Sequence, residues 1–290
     1  MRFIKQNRAA SFVAVTLVYV FATAVGVLVY NALDVDWYPS LLIADIAATA
    51  VTFIFSLIFK NASVYDPYWS VQPPIILIAF AIGKELTVLG VLLIVVVLFW
   101  AIRLTANWAY TFADLCHQDW RYTMLKEKTG AFYPIINLVG IHMVPTVVVY
   151  GCILPAVYAI REGLDANFVS VMFLILSFGA TIMQGIADVQ MHQFRKKREG
   201  NFIRRGLWKY SRHPNYLGEI LMWWGVGLSV VSAAPDAYIF IIGAVANTLL
   251  FFSVSIPMAD GRQSRKEGFE DYKKQTRMLL PLRRFKGPKL

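Results

Sequence analysis

Eight apolar runs divide this chain, at 9–32, 40–60, 71–83, 86–109, 133–160, 167–190, 216–234 and 236–257. Most of them reach the roughly 20 residues that a helix needs to cross a bilayer. Inside hydrocarbon every backbone N–H and C=O must be satisfied, which a helix does within one segment. The pattern predicts an all-α fold, a polytopic membrane bundle of seven or eight transmembrane helices. Eight is the count taken here and seven the alternative. Run 71–83 is short for a crossing, so it must tilt, re-enter or be shielded by its neighbours. A composition that is 58% hydrophobic agrees with this class.

Charge placement gives an orientation. With the N-terminus inside, Arg2, Lys5 and Arg8 and the segments 61–70, 110–132, 191–215 and 258–290 share one side. Asp34, Asp36, Lys84, Glu85, Arg161, Glu162, Asp165 and Asp236 fall on the other. Excess positive charge on one face is the positive-inside pattern, and it predicts cytoplasmic N- and C-termini. The net charge of +10 is thereby mainly topology, with anionic lipid or cofactor as secondary partners. Nucleic acid is excluded as a partner, because the basic residues sit on short loops between spans.

Run 9–32 is longer than the roughly 7–15 apolar residues of a signal peptide and lacks a clear small-residue cleavage site, so it reads as a retained helix. The chain divides into an extra N-terminal helix (1–38), a membrane domain (39–258) and a basic amphipathic cytoplasmic tail (259–290). Cys116 and Cys152 fall at or near opposite faces, which predicts no disulfide. No Cys/His spacing fits zinc.

The densest polar feature runs from Arg204 and Arg205 through Arg212 and His213 into Pro214-Asn215-Tyr216-Leu217-Gly218-Glu219. Pro214 suits the first position of a helix, with His213 as its cap. Asn215 and Glu219, four apart, share a helical face. Residues 195–213 hold eight Lys/Arg against one Glu, and the free N–H groups of a helix start attract phosphate. A positive-inside anchor accounts equally well for the basic run, but less well for Asn215 and Glu219, which are costly in apolar surroundings.

Three further groups stand out. Gln184, Asp188 and His192, with Arg195, make one stripe that would suit the ribose and amide of a dinucleotide; a helix end emerging into water is the plainer reading. Arg103 and Asn107 lie one turn apart near a span end, where Arg103 would snorkel or bind. Tyr65-Asp66-Pro67-Tyr68-Trp69 opens an apolar helix. Its rings read as an interfacial belt; alternatively, Asp66, kept protonated by burial, donates to a substrate carbonyl, with Tyr65 or Tyr68 in the same role. Asp45, His142 and Asn247 read first as inter-helix hydrogen-bonding groups. Phe269-Glu270-Asp271-Tyr272 through Leu279 reads as a short amphipathic segment under the basic face.

At these residues the chain resembles the steroid 5-alpha-reductase family, in its bacterial branch. The matching signatures are Gly206-Leu207-Trp208, Arg212-His213-Pro214-Asn215-Tyr216-Leu217-Gly218-Glu219, Asp188 with Arg195, and Phe269-Glu270-Asp271-Tyr272 followed by Pro281. The resemblance implies an integral membrane, NADPH-dependent reductase of a C=C bond conjugated to a ketone, acting on an apolar, steroid-like substrate that enters from the bilayer. It implies cofactor contacts at Arg103, Asp188, Arg195, Asn215, Tyr216 and Glu219, and a bacterial inner membrane with the cofactor on the cytoplasmic side. The carbonyl-binding glutamate of the family aligns with Asp66. Its tyrosine aligns near Trp100, which cannot donate in the same way, and a family His falls near Asp260.

No Rossmann-type glycine motif is present, so a dinucleotide would have to lie between helix ends. Asn107, Gln184, Arg204, Arg205, Arg212 and His213 complete the expected cofactor site. Because membrane methyltransferases carry a similar Arg-His-Pro-x-Tyr piece, an S-adenosylmethionine-dependent enzyme of the isoprenylcysteine or phospholipid type is the alternative. A non-catalytic transporter or scaffold is a third reading.

Overall fold

The computed structural model describes residues 2–197 and 200–280. Arg198, Glu199, Pro281 and the rest of the basic tail lie outside the described residues. The helices in chain order are α1 (Arg2–Gln6), α2 (Arg8–Ala32), α3 (Trp37–Phe59), α4 (Tyr68–Ala81), α5 (Val88–Thr111), α6 (Trp120–Thr129) and α7 (Tyr133–Ile136). They continue with α8 (Val144–Glu162), α9 (Phe168–Lys197), α10 (Pro214–Ala233), α11 (Ile242–Leu250), α12 (Ile256–Gln263) and α13 (Phe269–Gln275). Widened π turns at Asn137–Met143 and Phe251–Ser255 join α7 to α8 and α11 to α12 without a break. Among the described residues no strand forms; Ser211 and Arg277 make an isolated bridge.

Among the described residues, seven continuous helical stretches are long and apolar enough to cross a membrane. The eighth expected span is α4, with 14 residues. At 1.5 Å per residue it is roughly 21 Å long, short of the roughly 30 Å hydrocarbon core. It nevertheless reaches the far end of the bundle. Phe80 packs edge-on against Tyr30 at the end of α2 and Trp37 at the start of α3. The deficit lies at its beginning, where a buried 3-10 turn, Ala62–Tyr65, fills the bundle below it. Asn61 holds that turn by donating to the carbonyls of Leu115 and His117, at 2.8 and 3.1 Å. Buried polar backbone is thus satisfied where α4 supplies no helix.

The helices alternate in direction. One end gathers the starts of α2, α4 and α10, the ends of α3, α5 and α9, and α6, α12 and α13. The other end carries the acidic connections around Asp34, Asp36, Glu162, Asp165 and Asp236. Leu89, Leu93 and Val97 of α5, Ile153 and Val157 of α8, and Met222, Trp223 and Val226 of α10 form the central core. Where α8 meets α11 the backbones nearly touch: a Cβ on Gly151 would lie 3.0 Å from the Cα of Gly243. Small residues permit such approach in bilayers, where packing rather than water exclusion joins helices. The outward side chains, such as Leu17, Ile54, Val95 and Ile175, are exposed and apolar, as a lipid-facing surface requires. Both cysteines are free, Cys116 exposed and Cys152 buried.

Candidate functional site

The two polar stripes read from the sequence close on each other. Arg103 Nη1 donates to Asp188 Oδ2 at 2.9 Å, and Nη2 donates to Gln184 Oε1. One turn further on, His192 Nε2 and Asn107 Oδ1 are 2.7 Å apart. The pairs register because both helices repeat their polar groups every four residues. From α10, Glu219 brings a second carboxylate, its Oε2 3.5 Å from Arg103 Nη2. Trp100 Nε1 donates to Glu219 Oε2 at 2.9 Å, and Trp223 Nε1 to Oε1 at 3.0 Å. One guanidinium, two carboxylates and two indoles from α5, α9 and α10 therefore meet near the basic end.

Arg103 does not snorkel. Its side chain is 13% exposed, and those of Asp188 and Glu219 are 12% and 15% exposed. The close approach of α9 and α10 depends on Gly218, where a Cβ would stand 2.8 Å from the Ala180 carbonyl oxygen. Two donors in this cluster, Arg103 Nε and Gln184 Nε2, are buried without a partner among the described residues. Such groups are costly, so a site that leaves them open favours an acceptor-rich ligand.

At the start of α10, Pro214 occupies the first helical position and His213 the cap position, as expected. The His213 side chain does not cap. Its Nε2 lies 3.0 Å from Asp260 Oδ1, and its ring stacks on Tyr216. Arg212 Nη2 donates to Asp260 Oδ2 and Nη1 to the Thr276 carbonyl, both at 2.9 Å, while its buried Nε lacks a partner among the described residues. Asn215 is half-buried, its Oδ1 accepting from Tyr216 N at 3.1 Å.

The C-terminal segment straps this loop down. Arg212 N donates to the Arg277 carbonyl at 2.9 Å, Tyr272 OH to the Trp208 carbonyl, and Arg204 Nη2 to the Gly268 carbonyl at 2.8 Å. Phe269, Tyr272 and Leu279 are buried, so the expected amphipathic segment does pack under the basic face. Arg195, Arg204 and Arg205 are exposed. The last two border an open cleft of about 420 Å³ with Phe194, Asn201, Phe202 and Glu267.

Asp66 belongs to another group. Tyr122 OH, from α6, donates to its Oδ1 at 2.6 Å. Burial pushes its carboxyl up to about 6, against Arg121 and the Tyr122 hydroxyl, which favour the ionised form. Arg121 is itself paired with Asp119 at 2.8 Å. Tyr65 and Tyr68 point away from this group: Tyr65 OH is 2.7 Å from Thr146 Oγ1, and Tyr68 OH donates to Asp45 Oδ1 at 2.8 Å. Of the three residues expected to act on a carbonyl, Tyr65 and Tyr68 thus stay together, their rings stacked at 5.1 Å, while the Asp66 carboxyl bonds elsewhere.

Residues 52–276 match the family described as Protein of unknown function (DUF1295). The chain belongs to this family. Comparison with curated proteins and with solved structures returns no match. The DUF1295 segment contains every candidate cofactor residue, Asp66 and Asp260, while Asp45 precedes it. Among the described residues no cluster of side chains suits a metal ion.

Sequence reasoning did not join three DUF1295 residues to the partners that complete these groups. Asp260 joins Arg212 to His213 across 48 and 47 positions. Tyr122 reaches Asp66 across 56. Trp100, aligned with the family's tyrosine, donates through its indole to Glu219. The short acid at 260, next to a basic motif lacking its counter-charge, was the available signal for the first. Of the polar residues expected to bridge helices, Asp45 does so through Tyr68. His142 instead bonds within its own π turn, to the Asn137 carbonyl, and Asn247 Nδ2 is buried without a partner among the described residues.

Proposed function

We propose that this membrane protein is an NADPH-dependent reductase of the C=C bond of an α,β-unsaturated ketone in an apolar, steroid-like substrate. The observation that carries the reading is the set of buried N–H groups on Arg103, Gln184 and Arg212 without a partner among the described residues, three residues whose sequence pattern also points to a cofactor. A dinucleotide offers acceptors in its phosphates, ribose hydroxyls and carboxamide. The signatures that resemble the 5-alpha-reductase family, apart from Pro281, fall inside the DUF1295 match or on its last residues.

In this reading Arg103, Asn107, Gln184, Asp188 and Glu219 hold the nicotinamide and ribose end, with Asn215, Tyr216 and His213 at the start of α10. Arg195, Arg204, Arg205 and Arg212 hold the phosphates, drawn together by the C-terminal strap; exposed cations beside a cleft attract such charge. When bound, NADPH supplies the hydride that reduces the β-carbon. Asp66, in its protonated form, donates to the ketone oxygen and stabilises the charge that develops there. Tyr122 fixes the Asp66 carboxyl. The basic end faces the cytoplasm of a bacterial inner membrane, where the cofactor is found, and the substrate enters sideways from the bilayer.

The test is a titration of the full chain in detergent with NADPH, followed by the fluorescence of the reduced nicotinamide. Gln184→Met and Arg103→Lys are expected to weaken binding at least tenfold, about 1.4 kcal/mol. Unchanged affinity in both variants would remove the α5–α9–α10 cluster from the cofactor site.

A further inference from the structure

The acidic end of the bundle holds one guanidinium among aromatic rings. Arg161, in the last turn of α8, sits with its Cζ 5.1 Å from the centroid of the Trp37 ring and 5.9 Å from that of Phe80. These rings come from the start of α3 and the end of α4. Phe240 joins the group, 6.5 Å from Trp37 and 5.0 Å from Tyr158. The helix dipole favours a cation at the end of α8, but it would equally leave the side chain free in water. Arg161 folds onto the rings, and its Nε is buried without a partner among the described residues. Among those residues no carboxylate pairs with it, although Glu162 is its neighbour and Asp36 precedes Trp37.

A guanidinium stacked on rings keeps its edge N–H groups for an acceptor, and that fork matches the oxygens of a phosphate. The surroundings disfavour a simple anion. Asp34, Asp36, Glu85, Glu162, Asp165 and Asp236 stand against Lys84 and Arg161 at this end. Glu162 and Asp236 lie within electrostatic reach of the Tyr158 hydroxyl, beside Phe240. Asp36 takes the cap position of α3, yet its side chain accepts no bond from the helix. A net negative ligand is repelled here, whereas one that carries a cation next to its phosphate meets both signs. Ile82 and Ile239, exposed and within two residues of Phe80 and Phe240, offer apolar chains a surface next to the rings.

We infer that Arg161, Trp37 and Phe80 form a headgroup site for a zwitterionic phospholipid of the ethanolamine type, in the leaflet at the acidic end. The phosphodiester oxygens accept from the Arg161 fork, and the primary ammonium donates to Asp36 and Glu162. The acyl chains pass Ile82 and Ile239. A choline headgroup lacks the N–H donors that carboxylates take, and a glycerol headgroup leaves the phosphate charge uncompensated. The site is independent of the reductase reading, because it lies at the end of the bundle opposite Arg103 and Arg212.

The test is native mass spectrometry of the full chain, released from detergent with dioleoyl phosphatidylethanolamine, phosphatidylcholine and phosphatidylglycerol added in equal amounts. The wild type is expected to retain one ethanolamine lipid roughly tenfold more than either competitor. Arg161→Gln should abolish that preference. Arg161→Lys, which keeps the charge and loses the fork, should weaken it. Asp36→Asn combined with Glu162→Gln should turn it towards the glycerol lipid. Lys84→Gln, a change to the other cation at this end, should leave it intact. Equal retention of the three lipids by the wild type, or wild-type preference in both Arg161 variants, would overturn the site. Displacement of the lipid by a millimolar excess of phosphoethanolamine or inorganic phosphate would make a soluble phosphate the ligand and overturn the lipid assignment.

Discussion

Arg103 of α5 and Asp188 of α9 form an ion pair at 2.9 Å, both side chains largely withdrawn from solvent. Glu219 joins the same guanidinium from α10. Three helices are thereby tied at one charge, and breaking such a pair by removing one partner leaves uncompensated charge behind. Arg103→Leu should cost about 3–5 kcal/mol of stability. Glu219→Gln, which keeps one acceptor for the indoles of Trp100 and Trp223, should cost about 1–3 kcal/mol. Thermal unfolding in detergent checks the order, and a more stable Arg103→Leu would contradict it.

Asp66 sets a pH dependence. Its carboxyl is raised by burial to about 6, so the folded state binds the proton more tightly than the unfolded chain. Its contribution to stability is full below the unfolded carboxylate range and is lost as pH rises through about 6. Turnover that needs the neutral acid should fall over the same limb. Because the Tyr122 hydroxyl favours the ionised form, Tyr122→Phe should move that limb to higher pH. Asp66→Asn should slow turnover far more than it weakens NADPH binding. A pH–rate profile of the three proteins reads both effects.

Gly218 is a packing requirement of the site. Gly218→Ala drives a methyl group against the Ala180 carbonyl and the Gln184 side chain, separating α9 from α10. The expected loss is about 1–3 kcal/mol. Gly227→Ala on the same helix meets nothing closer than Ile241 at 3.9 Å and should be nearly neutral. Equal melting temperatures for the two variants would show that the α9–α10 contact is looser than described.

Asp260 is the hub of the C-terminal strap. Asp260→Ala leaves the buried Arg212 without its carboxylate and frees His213, at an expected cost of about 3–5 kcal/mol. Proteolysis should then cut near 264–268 before the bundle unfolds. Wild-type resistance in that segment would show that the backbone contacts of Arg212 with Thr276 and Arg277 suffice alone.

The bundle was legible because a bilayer permits few alternatives: long apolar runs must be helices, and α2, α3, α5 and α10 match the runs closely, while α9 continues past its run to Lys197. The α5 and α9 stripes were legible too, since four-residue spacing defines a face whatever the partner. What the spacing did not contain was that the partner of each stripe is the other. Local periodicity places Tyr65 and Tyr68 beside Asp66, yet the 3-10 turn rotates their hydroxyls towards Thr146 and Asp45. Tyr122 and Asp260 reach the site across dozens of residues, and no local rule encodes such contacts. The short α4 was visible as a deficit, but the buried 3-10 turn that makes up for it was not.

NADPH binding at the basic end is what the cofactor-site geometry requires. The measurement that tests it most directly is the thermal stability of the detergent-purified chain against NADPH, NADH and S-adenosylmethionine. Binding to the folded state alone adds about 2.7 kcal/mol at a hundredfold excess over the dissociation constant. We predict such a shift with NADPH, a smaller one with NADH and none with S-adenosylmethionine. Stabilisation by S-adenosylmethionine alone, or by none of the three, would contradict the account.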